Sequence, residues 1–107
     1  MHLDQADYSI VDAILNQYVP EYDVWVFGSR VHGRNLKKFS DLDLVIINDN
    51  PLKTLQLFNI KEAFSESDLP IMVDVLTWDD IDDTFKSIIL KNYEIIQKRI
   101  KNEPKNQ

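Results

Sequence analysis

The sequence predicts an α/β (α+β) fold: one small domain in which a mixed sheet of three strands, or slightly more, is flanked by helices. Two observations lead to it. Short β-branched and aromatic runs at residues 24–27, 41–47 and 71–76 alternate with stretches whose apolar residues recur every three to four positions. The resulting order, αβαβαβα, is that of a sheet layered against helices. The length of 107 residues, 44% hydrophobic and 28% charged, suits one buried core, expected over residues 1–100 with 101–107 as a frayed tail.

The first helix is expected over residues 7–19. Tyr8, Val11, Ile14, Leu15, Tyr18 and Val19 form one stripe, and Pro20 ends it. Val24, Trp25, Val26 and Phe27 form a buried strand that stops at Gly28. Residues 30–40 turn polar and basic, with Gly33 and Asn35 as breakers, and read as a helical turn plus loop. Residues 41–47 begin with strict alternation and finish as a continuous apolar run, so this strand has one half-polar end and one buried end. Pro51 suits the first position of a helix continued by Leu55, Phe58, Ile60, Ala63 and Phe64 to about residue 65. Residues 71–76 alternate as a third strand. From Thr77, a hydroxyl cap and acids in the first turn precede Ile81, Phe85, Ile88, Ile89, Tyr93 and Ile96, predicting a C-terminal helix of about twenty residues.

Composition narrows the function. Eighteen acidic against twelve basic residues give a net charge of −6, which repels a polyanion and argues against a free-standing nucleic-acid binder. The absence of cysteine removes disulfides, thiolate metal sites and cysteine nucleophiles. No leader-like or membrane-spanning apolar run is visible, so the cytoplasm is the expected location.

Chemistry concentrates at two places. Asp41 and Asp43 point to one face of their strand while Leu42 and Leu44 point into the core. Carboxylates that close repel unless a cation neutralises them, and Mg²⁺ prefers such oxygen ligands. Taken alone, the pair also reads as solvated residues at a strand start. Upstream, Gly28 and Ser29 stand where a buried strand turns into a helix, a place where free backbone N–H groups attract phosphate. Together they bring a phosphate cradle and a metal site to one sheet edge.

Phe27-Gly28-Ser29-Arg30-Val31-His32-Gly33 and Phe39-Ser40-Asp41-Leu42-Asp43-Leu44 resemble the signature of nucleotidyltransferases of the DNA polymerase β superfamily: Gly-Ser, a spacer of roughly ten residues, then Asp-x-Asp. Eleven residues separate Ser29 from Asp41 here. The short chain and Gly33 make the likeness to minimal nucleotidyltransferase (MNT) proteins closer still, over most of the chain. The resemblance implies a third carboxylate, for which Asp74 is the candidate, the only one in a buried strand-like setting, within the third strand. Taken alone, Asp74 reads equally as a surface-facing or hydrogen-bonded polar residue.

The implied chemistry is nucleotidyl transfer with two Mg²⁺ ions, held by Asp41, Asp43 and Asp74, while Gly28 and Ser29 secure the β- and γ-phosphates of ATP or another NTP. The resemblance further implies a HEPN-domain toxin as partner, AMP transfer to one of its tyrosines, and an antitoxin role. A noncatalytic module that neutralises its partner by contact, or an enzyme acting on a small-molecule hydroxyl, are the alternatives.

Other features invite a bland reading. The acidic run from Asp79 to Asp83 complements a helix start. His2 and His32 share no metal spacing and are assigned no role. Arg30, Arg34, Lys37 and Lys38 form a basic island that either meets triphosphate or a partner, or is a solvated loop. Trp25, Phe27, Phe58, Phe64 and Phe85 are expected in the core.

Overall fold

A computed structural model describes residues 1–100. Helix α1 (Gln5–Tyr18) leads into β1 (Asp23–Phe27), the single turn α2 (Ser29–His32), β2 (Leu42–Ile47), α3 (Thr54–Glu66), β3 (Val73–Thr77), α4 (Asp83–Lys91) and β4 (Tyr93–Gln97). The sheet order is β3-β2-β1-β4. β1 runs antiparallel to both β2 and β4, and β2 runs parallel to β3. A parallel pair needs a crossover, and α3 supplies it.

The alternation of side chains sorts the core. Val24 and Val26 of β1, Leu42, Leu44 and Ile46 of β2 and Val75 of β3 meet α1 through Val11 and Leu15, and α3 through Ile60 and Phe64. Eight of these, Val11, Leu15, Val24, Val26, Leu42, Leu44, Ile46 and Ile60, are fully buried. Each stabilises the fold by about 1.5–3 kcal/mol relative to exposure if it is a Val, Leu or Ile. On the opposite face Phe27, Val45 and Ile89 form a smaller cluster, where α4 lies over β1. Half-buried Trp25, Trp78 and Tyr93 extend it. Trp25 stacks on Tyr93 at 4.2 Å, and the Trp78 ring meets its edge at 5.4 Å.

The C-terminal third departs from expectation. The helix predicted to run for about twenty residues from Thr77 is a 3₁₀ turn (Trp78–Asp80), the nine-residue α4 and the strand β4. Asp82 rather than Thr77 caps α4, accepting from the Phe85 N–H at 2.8 Å. The physical reason lies in β1, whose second edge would be left unpaired; Tyr93, Ile95 and Ile96 are residue types that fit a ladder, and the backbone turns extended at Asn92 to reach it. Helical periodicity across residues 81–96 was coincident with strand alternation after residue 92.

Two smaller corrections follow the same logic. α3 starts at Thr54, leaving Pro51 in the preceding turn. Its buried stripe runs through Leu57, Ile60 and Phe64, so Phe58 is 58% exposed rather than in the core. No helix among the described residues is long and apolar enough to cross a membrane. The tail expected at 101–107 lies outside the described residues.

Candidate active site

Because β1 is antiparallel to β2, and β2 is parallel to β3, the end of β1 and the starts of β2 and β3 fall at one end of the sheet. The register is direct: Phe27 pairs with Asp43, and Asp43 pairs with Asp74. On the face carrying α4, one row therefore reads Asp74, Asp43, Phe27 across three strands. Asp41 stands one residue before β2 and is exposed. Asp43 is partly buried, and Asp74 is exposed on the edge strand. The third strand was expected to hold Asp74 in a buried setting. Its place in this group instead rests on register, since β3 is open to solvent on its far side.

The electrostatics single out Asp43. Its pKa is pushed up to about 6, first by burial and then by the charges of Asp74 and Asp41. Three mutually repelling carboxylates are a donor set suited to a hard divalent cation. Among the described residues no Lys or Arg forms an ion pair with any of them. Nor, among those residues, are three His, Asp or Glu side chains already drawn together around one point. Asp41 and Asp74, both exposed, retain the rotamer freedom to converge on the half-fixed Asp43.

Gly28 is required here for two reasons. Its backbone has φ 80° and ψ −157°, a region open essentially to glycine. A Cβ built on it would collide with Asp43 Oδ2, so any side chain must displace the central carboxylate. The turn after β1 and the start of β2 are thus in van der Waals contact. Ser29 opens α2, whose only four residues provide little macrodipole. What the turn offers an anion is its first N–H groups, which have no acceptor within the helix.

Arg30 corrects the reading of the basic island. It is 7% exposed and donates to three carbonyls: Ser40 at 3.0 Å, His2 at 2.9 Å and Lys38 at 3.2 Å. It ties the Gly28-Ser29 turn to the loop that delivers Asp41 and to the N-terminal segment, whose His2 N–H donates back to the Arg30 carbonyl. Arg34, Lys37 and Lys38 are exposed. A buried role for Arg30 leaves no periodic trace in a sequence; its position right after Gly-Ser was the one available signal.

Beside Gly28, on the face with α4, lies a cavity of about 350 Å³ bordered by Phe27, His32, Phe85, Ile88 and Asn92 among others. Phe27 and Phe85 meet edge to face at 5.7 Å in its floor.

Comparison with known proteins accords with this geometry. The nucleotidyltransferase domain family matches residues 9–96. A Haemophilus influenzae protein described as the probable protein adenylyltransferase MntA is 50% identical over 101 residues, which span 94% of this chain and 88% of that protein. Two solved structures share the fold. One is a toxin-antitoxin complex with AMP-PNP, at 16% identity and a TM-score of 0.68, covering 83% of this chain and 71% of the other. The second is a tri-AMPylated Shewanella oneidensis HEPN toxin in complex with MNT antitoxin, at 14% identity and a TM-score of 0.62, covering 88% and 71%. With the Gly-Ser turn and the carboxylate row at one sheet end, the chain belongs to the nucleotidyltransferase domain family.

Proposed function

We propose that this chain is a Mg²⁺-dependent protein adenylyltransferase that moves AMP from ATP to a tyrosine hydroxyl of a HEPN-domain toxin, and so acts as its antitoxin. The observation that carries the proposal is the row Asp74–Asp43–Phe27 with Gly28 packed on Asp43. The half-identical relative supports protein adenylylation, and the shared fold of the toxin-antitoxin complexes supports the class of partner.

Asp41 and Asp43 would hold one Mg²⁺ and Asp74 would help hold a second, which together would neutralise phosphate charge and lower the pKa of the acceptor hydroxyl. Gly28 and Ser29 offer backbone N–H groups to the β- and γ-phosphates, which orients the α-phosphorus for in-line attack. The acceptor oxygen forms a bond to that phosphorus as the bond to the bridging β-oxygen breaks, and pyrophosphate leaves. Asp74, exposed at the sheet edge, would take the hydroxyl proton. The open flank of β3 gives a protein acceptor access that a closed pocket would deny.

Incubating the chain and its co-purified partner with ATP and Mg²⁺ should add about 329 Da, or a multiple of it, to the partner at a tyrosine, and chelation of the metal should prevent it. An unmodified partner that is nonetheless inhibited would replace this function with neutralisation by contact.

A further inference from the structure

Resting on the nucleotidyl-transfer reading, we propose that the outer edge of β3 is the docking site for the acceptor protein, which adds a basic, extended segment to the sheet and so carries its hydroxyl to Asp74. The backbone is set for this addition. The Met72 carbonyl accepts from the Leu42 N–H at 2.9 Å, and β3 stays in register with β2 as far as Thr77. Alternate residues of a strand bond to opposite sides, so the N–H and C=O groups of Val73, Val75 and Thr77 point away from the sheet. Among the described residues no backbone hydrogen bond reaches them. Edges of this kind are usually blunted by Lys, Pro or a bulge, and Val73 to Thr77 carry none of these. Side chains of an added strand find contacts on both faces. Met72, 73% exposed, lies on the face of Asp74, and toward α3 the edge borders a groove of about 290 Å³ lined by Phe64, Leu69, Ile71 and Val73.

Charge selects the occupant. Between Lys61 and Lys86 the sequence has eight acidic residues and no basic one, a charge of −8 against +2 for the rest of the chain. These acids flank β3 on both sides: Glu66 and Asp68 precede it, Asp79, Asp80, Asp82 and Asp83 follow it, and all six are exposed. A second copy would bring the same charge to the same edge and is repelled, whereas a segment rich in Lys and Arg is attracted. Backbone pairing supplies affinity in such strand addition, and alternate side chains supply specificity. Neighbouring strands lie about 4.8 Å apart, so the register of the added segment selects which hydroxyl stands beside Asp74.

Amide hydrogen exchange, read residue by residue on the chain with and without the co-purified acceptor protein and before any ATP is added, tests this directly. The Val73, Val75 and Thr77 amides should exchange at least about tenfold more slowly in the complex. Asp68→Lys combined with Asp80→Lys changes two exposed residues outside the carboxylate row. It should weaken binding and raise the KM for the acceptor about tenfold, with kcat unchanged, and added salt should weaken wild type more than the double variant. A complex whose β3 amides exchange as in the free chain, or a double variant that binds as wild type does, would overturn the docking site and leave nucleotidyl transfer standing. Slowing that grows with the concentration of the chain alone would make a second copy the occupant and overturn it equally. With ATP and Mg²⁺ then added, protected β3 amides without AMP on the acceptor would keep the docking edge and remove the transfer reading it rests on.

Discussion

Asp43 carries a conflict that no neighbouring group among the described residues resolves. It is held against Gly28, partly withdrawn from water, and faced by two more carboxylates, so its ionisation works against folding. Its folded pKa of about 6 exceeds the ordinary 3.8, which means the folded state binds more proton between those values. Its favourable contribution is therefore present below pH 4 and lost as pH rises through 6. Asp43→Asn should raise the stability of the metal-free protein at pH 7 by on the order of 1 kcal/mol, discounted for partial exposure, or roughly 5 °C in melting temperature. The gain should vanish near pH 3.5 when melting is followed across the pH range. Mg²⁺ should raise the melting temperature of wild type and leave that of the variant unmoved. A variant less stable than wild type at pH 7 would contradict the repulsion argument.

Gly28 tests the same contact from the other side. Gly28→Ala must pay for a backbone region closed to alanine, about 1–3 kcal/mol, and must also displace Asp43. In the double variant Gly28→Ala with Asp43→Ala the collision with the carboxylate disappears and the backbone cost stays. Chemical denaturation of the four proteins should therefore show the two changes to be less than additive. Strict additivity would mean that the turn and the carboxylate are not in contact.

At the level of elements, the site depends on strands that the sequence shows unequally well. β1 and β2 announce themselves, because a β-branched run ending in Gly28 and an alternation opening at Asp41 have no helical counterpart. β4 was hidden, since Ile89, Tyr93 and Ile96 satisfy a helical period as well as their true places in a helix and a strand. Only the unpaired edge of β1 distinguishes them, and an edge is a property of the assembled sheet. Asp74 was likewise found through the family pattern, while the burial first expected for it is absent. Arg30 was legible as a residue and illegible as a brace, because its three carbonyl partners come from segments up to 28 positions away. β4 is secured by Gln97, whose amide donates to the Val19 and Tyr22 carbonyls, both at 2.9 Å. Gln97→Leu should cost about 2 kcal/mol in denaturant unfolding by leaving those carbonyls unpaired, and Asp82→Ala about 1 kcal/mol through the lost cap of α4. Neither position touches the carboxylates, so both variants should keep full activity at temperatures where they stay folded.

For the molecule as a whole, the open sheet edge beside Asp74 suits the proposed transfer to an acceptor on a second protein, whereas the net charge of −6 opposes the donor's phosphates and leaves their neutralisation to the metal. The sheet holds its carboxylates at one rim, the helix pair α1–α3 fills the opposite face, and Asp74 stands outermost, where a partner's side chain can reach it. On the proposed function, the row Asp43–Asp74, with Asp41 beside it, performs the chemistry. Its most direct test is single-turnover AMP transfer to the co-purified partner, read by intact mass, for wild type, Asp43→Asn and Asp74→Asn at saturating ATP and Mg²⁺. Wild type should adenylylate the partner, and each variant should lose at least about a hundredfold in rate with folding intact. Transfer at the wild-type rate by either variant would contradict it.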